Sequence, residues 1–184
     1  MQRDLVLRAA NGDHDAFASL ATDAYGRLHR TARLIVRRED LASDAVQEAL
    51  TSAWLHIRAV RDPDRFDAWL NRLVVRACYQ ELRRAKRGPI EIDAAAIDLV
   101  GGDDSIGALA DRDQLERGFE RLSVEHRAVL VVHHYLGLAD AEAATVLNLP
   151  IGTYKSRLNR AHFALRAAID AGDRVAPIGK ESIA

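Results

Sequence analysis

Apolar residues recur at intervals of three and four along most of the chain, the pattern of amphipathic helices. The first long stretch follows Asp13 and the second follows Asp40, and both side chains are suited to cap the start of a helix. A third stretch begins near Phe66, after a loop indicated by Asp62-Pro63-Asp64, because proline disfavours helix in the residue before it. The N-terminal half is therefore predicted to be a small helical bundle.

The C-terminal half predicts a helix-turn-helix. Ser123 can cap a helix that ends at Gly137, and a short helix over 140–147 then leads through Asn148 to a longer one over 151–171. Asn148 tolerates the left-handed backbone that such a turn requires. The polar face of the longer helix carries Thr153, Ser156, Arg157 and Arg160. Residues so placed meet base edges and phosphates when a helix enters the major groove, although a plain helical hairpin is the alternative.

Charge separates these two halves. The 184 residues have a net charge of -1, but residues 88–113 hold seven acidic side chains and one basic one, whereas residues 1–87 hold twelve acidic and sixteen basic ones. The acidic segment also contains Gly-Pro and Gly-Gly-Asp-Asp, which are marks of a linker. We expect an all-α protein in which a domain at 1–87 and a domain at 114–171 are joined by an acidic flexible linker. The tail at 172–184 is predicted to be disordered.

Several classes of chemistry are excluded or disfavoured. Cys78 is the only cysteine, which rules out an intramolecular disulfide and a multi-thiolate zinc site. His133 and His134 are adjacent and would point about 100° apart on a helix, so they cannot chelate one metal at i, i+4 spacing. No stretch approaches the roughly 18 apolar residues of a membrane span. We therefore expect a soluble cytoplasmic protein with no metal, no cofactor and no catalytic site.

Two helix faces in the N-terminal half are candidates for binding. The helix after Phe66 places four arginines within a sector of about 60°, namely Arg72, Arg76, Arg83 and Arg87. Like charges so close repel one another unless an anion neutralises them, and a phosphate backbone is one such polyanion. An ordinary solvated face is the alternative interpretation. The helix before it aligns Asp44, Gln47, Glu48 and Thr51 on its outer side.

These residues together resemble a bacterial sigma factor. The run Asp44-Ala45-Val46-Gln47-Glu48 ending at Trp54, and Ala68-Trp69-Leu70 leading to Arg83-Arg84, resemble region 2 of that family. The run Gly152-Thr153-Tyr154-Lys155-Ser156-Arg157, followed by Arg160-Ala161, resembles region 4. With only a short linker between the halves, the chain is similar to the extracytoplasmic-function subfamily, which lacks a folded region 3.

The resemblance implies a function and a set of partners. It implies a subunit that binds core RNA polymerase, directs initiation at particular promoters and is not an enzyme, with an anti-sigma factor as a further candidate partner. Contacts with the β′ clamp coiled coil would come from Asp44, Gln47, Glu48 and Thr51, and region 4 would meet the β flap. The minus-10 element would be recognised and opened by Arg61, Arg65, Trp69, Arg72, Arg76, Arg83, Arg84 and Arg87. The minus-35 element would be read by Thr153, Lys155, Ser156, Arg157 and Arg160.

The sequence also departs from the family pattern and leaves alternatives open. Ala139 stands where the family usually has a capping serine, which weakens the short helix unless Asp140 takes over that role. Arg76 and Gln80 stand where Asn and Asp are common, so a base preference cannot be carried over. A stand-alone helix-turn-helix regulator and an adaptor or anti-sigma-like protein are the other readings. Polymerase-binding and DNA-binding surfaces in both halves favour the sigma factor.

Overall fold

Helices make up the regular structure of residues 1–85 and 114–173, the parts of the chain that the computed structural model describes, and no strand occurs there. The all-α prediction is confirmed. The N-terminal helices are α1 (Gln2–Ala10), α2 (His14–Val36), α3 (Glu39–His56) and α4 (Phe66–Ala85). The C-terminal helices are α5 (114–120), α6 (Val124–Leu130), α7 (Asp140–Val146) and α8 (Ile151–Asp173). The predicted linker and Arg87 lie outside the described residues, as does the predicted tail beyond Asp173, where α8 ends.

The N-terminal bundle is built around α3, which packs against both α2 and α4. The core-facing side of α3 is rich in buried alanine, at Ala42, Ala45, Ala49 and Ala53. Small side chains let the neighbouring helices approach closely, and larger ones from those helices then fill the space between. Leu28 and Ile35 of α2 and Leu70 and Val74 of α4 are almost completely buried there. The apolar stripes found in the sequence are thus the inner faces of these helices.

Helix caps agree with the sequence at two sites and differ at a third. The Asp13 carboxylate accepts from the Ala16 amide at 3.0 Å, and the Ser123 hydroxyl accepts from the His126 amide at 3.3 Å, as predicted. The predicted cap at Asp40 is wrong, because α3 starts at Glu39 and its N-cap is Arg38, two residues before Asp40. The Arg38 guanidinium holds the Asp40 carboxylate through two hydrogen bonds, of 3.1 and 2.5 Å. Asp40 therefore serves as an acidic side chain in the first turn, where it complements the helix dipole.

The helix-turn-helix of the C-terminal half is formed by α7 and α8. Asn148 lies in the left-handed region with a φ of 53°, as the turn requires. Ala139 is the N-cap of α7 and makes no side-chain hydrogen bond. Asp140 does not take over as the cap, and its carboxylate lies 3.5 Å from the Lys155 ammonium instead. Tyr154 anchors α8 from its buried side, with its hydroxyl 3.0 Å from Nδ1 of His133.

The two halves of the chain are in contact, which the sequence did not indicate. Helix α6 packs against α2, and α7 packs against α4. The central polar contact is made by Arg127, which is 7% exposed and donates from Nε to the Ile35 carbonyl at 2.7 Å. These residues are 92 positions apart, and no periodicity or motif connects them.

Candidate nucleic-acid and protein interfaces

The outer face of α3 is a continuous exposed surface. Its predicted members Asp44, Gln47, Glu48 and Thr51 are all exposed, on the side opposite the buried alanines. Leu55 lies one turn beyond Thr51 and is 68% exposed, so the surface ends in an apolar side chain. Sequence reasoning missed Leu55, although its i+4 spacing from Thr51 was the available signal. The face thus combines two carboxylates, polar groups and one apolar contact, which suits docking to a protein.

The basic residues of α4 are on the solvent side, as the helical spacing predicted. Arg72, Arg76, Arg83 and Arg84 are exposed. Arg84 is partly neutralised, because its Nη1 lies 2.5 Å from a carboxylate oxygen of the nearly buried Glu81. The other three guanidiniums make no ion pair within the described residues. They are therefore the part of this surface whose charge is not neutralised.

The turn before α4 places two further arginines beside that surface. Residues Pro63–Arg65 form one turn of 3-10 helix, capped by the Asp62 carboxylate, which accepts from the Asp64 amide at 3.1 Å. Arg61 and Arg65 are exposed on either side of Asp62. Trp69 follows one turn into α4 and is half-buried, with its ring centroid 5.9 Å from that of Phe66. A tryptophan anchored on one edge and open on the other can stack on an unpaired base.

A guanidinium clamp holds the start of α4 in place. Arg27 of α2 donates to Asn71 Oδ1 and to Asp67 Oδ1, each at 2.6 Å. Gln2 of α1 donates to the other oxygen of Asp67 at 3.0 Å. Three helices thereby fix the position of the turn and of the Trp69 face. Sequence reasoning missed this clamp, because nothing in the pattern pairs residues from separate helices.

The polar face of α8 is solvent-accessible near its N-terminus. Thr153, Lys155, Ser156 and Arg160 are exposed, and Arg157 is half-buried. Tyr154, Leu158 and Ala161 are buried on the opposite side, so the helix has one face for the core and one for a ligand. The dimensions of the major groove admit such a helix, and its arginines have the donors to reach guanine edges or phosphates.

The half of the molecule that carries the basic surface of α4 packs against the half that carries the basic surface of α8. Burial, together with the nearby Glu125 carboxylate, raises the pKa of the Tyr79 phenol on α4 to about 12. The positive charges of Arg157 on α8 and Arg127 on α6 oppose this rise in the pKa.

The described residues contain no group of three or more histidine, cysteine or acidic side chains arranged to hold a metal. The Nε2 atoms of His134 and His162 lie 2.8 Å apart, and burial, with the neighbouring histidines, lowers the pKa of His134. Burial raises the pKa of the Cys78 thiol to about 12, so this cysteine is unreactive near neutral pH.

Of the helices in residues 1–85 and 114–173, none is long and apolar enough to cross a bilayer.

Comparison with known proteins decides between the candidate classes of protein. The family model "Sigma-70 region 2" matches residues 20–88, and "Sigma-70, region 4" matches residues 112–161. The ECF RNA polymerase sigma factor SigM of Mycobacterium tuberculosis is 37% identical over 164 residues, which cover 88% of this chain and 82% of SigM. The chain belongs to the ECF sigma factors of RNA polymerase. This sigma factor therefore acts in promoter-specific transcription initiation, and a stand-alone regulator is not favoured.

Solved structures of sigma factors have the same fold as this one. CnrH in complex with the cytosolic domain of CnrY aligns with a TM-score of 0.64 and 28% identity, over 92% of this chain and 97% of CnrH. RpoE in complex with the anti-sigma factor NepR, from Bartonella quintana, aligns with a TM-score of 0.67 over 88% of this chain and 98% of RpoE. At 23% identity, RpoE supports the fold alone. In this sigma factor, α2 to α4 carry the region 2 match, and α6 to α8 carry most of the region 4 match.

Proposed function

We propose that the outer face of α3 is the docking surface for core polymerase, with the β′ clamp coiled coil as its target. Its four polar members lie at i, i+3, i+4 and i+7, so one partner surface can engage Asp44, Gln47, Glu48 and Thr51 at once. Within the described part of the chain, neither carboxylate of this face is used in an ion pair. The proposal rests on one observation: the acidic face of α3 is exposed and makes no ion pair with the described residues, while the opposite side of the same helix is buried in the core.

A photo-crosslinking amino acid at position 47 tests the docking face. Replacing Gln47 by p-benzoylphenylalanine should give a covalent product with β′ when the protein is mixed with core polymerase and irradiated. The same residue at Asp23, which is exposed on α2, is the matched control and should give no such product. Crosslinking from Asp23 but not from position 47 would move the docking surface to α2.

We propose that the turn before α4 and the basic side of α4 recognise and open the minus-10 element. The residues are Arg61, Arg65, Trp69, Arg72, Arg76, Arg83, Arg84 and Arg87, the last of which lies outside the described residues. The accessible edge of Trp69 can stack on an unpaired base while the guanidiniums bind the phosphates on either side of it. The clamp from Arg27 supports the proposal, since it fixes the position of this turn before DNA arrives.

Permanganate footprinting of melted thymines tests this assignment. The double variant Arg72→Ala/Arg76→Ala should reduce promoter opening by holoenzyme without lowering holoenzyme yield, because these side chains lie away from the α3 face. Arg117→Ala/Arg166→Ala removes two exposed charges elsewhere and should open promoters like the wild type. Equal opening by both variants would remove α4 from the minus-10 contact.

We propose that α8 reads the minus-35 element through Thr153, Lys155, Ser156, Arg157 and Arg160, while region 4 also binds the β flap. The exposed face at the start of the second helix of a helix-turn-helix supports this role. Methylation interference on a promoter bound by holoenzyme should mark guanines of the minus-35 element. Loss of those marks in Arg157→Ala, with the minus-10 marks retained, would place Arg157 at a base edge.

We further propose that an anti-sigma factor binds this protein. We also propose that this protein works in the cytoplasm and positions DNA without catalysing any bond change. Support comes from CnrH, which is 28% identical to this chain and whose structure holds the cytosolic domain of CnrY. Affinity purification of the tagged protein from its own cells, separately from cytoplasmic and membrane fractions, tests the first two points. Recovery from the cytoplasm with polymerase subunits and one further small protein is the expected result.

A further inference from the structure

Helix α1 packs alongside the loop that joins α3 to α4. This α3–α4 loop, residues 57–65, contains two turns of 3-10 helix, Ile57–Ala59 and Pro63–Arg65, and α1 contacts both of them. Val6 and Ala9 on α1 are each 1% exposed, so core packing fixes the position of α1. A helix fixed in this way gives the loop a rigid surface to rest on.

The C-terminal end of α1 is joined to the first turn of the loop. Arg58 donates from Nε to the Ala10 carbonyl at 3.2 Å. Ala10 is the last residue of α1, where carbonyl oxygens lack partners within the helix, and a cation there also interacts favourably with the helix dipole. Ile57 beside Arg58 is 2% exposed. One end of the loop is therefore held by a polar contact and by a buried side chain.

The N-terminal end of α1 is joined to the second turn and to the start of α4. Arg3 donates from Nη1 to Asp64 Oδ2 at 2.5 Å, and Gln2 donates from Nε2 to Asp67 Oδ2 at 3.0 Å. Pro63 of the same turn is buried. The contacts at the two ends of α1 thus fix both ends of the α3–α4 loop.

The proposed DNA-binding side chains of the loop lie between and beside these fixed ends. Arg61 is exposed between the two 3-10 turns, and Arg65 is exposed at the end of the second one. Fixing a loop before its ligand arrives reduces the conformational entropy lost on binding, which raises affinity. Exposed pairs such as Arg3–Asp64, whose side chains are 60% and 64% exposed, are weak one by one. The support therefore comes from contacts at both ends of one packed helix acting together.

We propose that α1 is a supporting helix for minus-10 recognition, with Arg3 and Arg58 as positioning residues that hold the α3–α4 loop where Arg61 and Arg65 meet DNA. The proposal rests on the minus-10 assignment of those two arginines. Helix α1 acts through the loop, because its contacts are with the ends of the loop. It also lies outside residues 20–88, so the match to region 2 does not account for these contacts.

Binding of a random-sequence single-stranded DNA pool by holoenzyme tests the role of α1. Arg3→Glu places a carboxylate beside Asp64 and should release the second turn. If the loop then holds its binding position in about one molecule in ten, affinity falls about tenfold. Sequencing of the retained strands should also show weaker base preferences than with the wild type. Core polymerase alone gives the background.

Two matched variants separate positioning from charge and from folding. Arg166→Glu makes the same change in charge at an exposed site on α8 and should bind the pool like the wild type. Arg3→Glu/Asp64→Arg rebuilds the pair with its charges exchanged, and should restore both affinity and base preference. Failure of this exchange to restore binding would overturn the proposal.

A double-mutant cycle shows whether Arg3 acts through the loop. Adding Arg3→Glu to Arg61→Ala/Arg65→Ala should cause no further loss of affinity, because the side chains that α1 positions are already gone. Two independent losses that multiply would overturn the proposal. Binding of the pool by Arg61→Ala/Arg65→Ala like the wild type would refute the minus-10 assignment of the loop. A loss in that variant, with Arg3→Glu no weaker than Arg166→Glu, would refute the role of α1 and leave the assignment in place.

Discussion

Reversing the two carboxylates of the α3 face separates docking from folding more sharply than any other substitution in this sigma factor. In Asp44→Lys/Glu48→Lys, both side chains are exposed, so no buried contact is lost. The two positions are four apart, and the variant replaces one pair of like charges with another, which leaves their mutual repulsion about the same. The free energy of unfolding should therefore change by no more than about 0.5 kcal/mol.

The effect on polymerase binding should be much larger. An exposed ion pair contributes up to about 1 kcal/mol, and reversal replaces that attraction with a repulsion of similar size. Two reversed positions then weaken docking by about 2 to 4 kcal/mol, which is roughly 30- to 1,000-fold in Kd. The distinction from misfolding is clear, because a destabilised chain would lose helicity and this variant should not.

Fluorescence anisotropy of the labelled protein, titrated with core polymerase, measures the Kd, and circular dichroism with thermal melting measures folding. Asp23→Lys/Asp170→Lys is the matched control, since it makes the same change in charge at exposed positions outside the α3 face. That control should bind core polymerase like the wild type. Equal Kd values for the α3 variant and the wild type would refute the assignment of this face.

Three other outcomes follow from the described geometry. Arg157→Ala and Arg160→Ala should each weaken promoter binding by holoenzyme. Loss of a base contact should cost about 1 to 3 kcal/mol at one base pair, whereas loss of a phosphate contact should weaken binding to all sequences and reduce the salt slope by about one. Binding like that of the wild type by both variants would exclude α8 as the reader of the minus-35 element. Because the pKa of His134 is lowered, the folded state resists its protonation, so thermal stability should fall as the pH drops from about 7 to about 5, and His162→Gln should reduce that loss. Ala139→Ser should supply the missing cap of α7 and raise the free energy of unfolding by about 1 kcal/mol in denaturant titrations, with Ala139→Gly as the comparison.

Local patterns predicted the parts of this structure that depend on near neighbours. Helical stripes, the Asp13 and Ser123 caps and the left-handed Asn148 all depend on residues within a turn or two. Asp40 failed as a cap because Arg38, two residues away, competes for its carboxylate and starts the helix earlier. That competition depends on side-chain rotamers that the residue pattern does not encode.

Contacts between distant parts of the chain could not be predicted in this way. Arginine is usually a surface residue, yet Arg127 is buried. Its burial is satisfied by the Ile35 carbonyl, which lies opposite it in the folded protein and accepts its hydrogen bond. The Arg27 clamp on Asp67 and Asn71 similarly joins two helices whose spacing is set by core packing. Motifs predicted the three proposed binding faces, but only the fold shows that α7 packs against α4.

Run-off transcription from a promoter library with purified core polymerase tests the central claim most directly. Adding this protein should yield transcripts from a small set of promoters sharing minus-10 and minus-35 elements, and core polymerase alone should not make them. Omitting core polymerase should abolish sequence-specific DNA binding as well. Transcripts independent of the added protein, or tight promoter binding by the protein without core polymerase, would contradict the account.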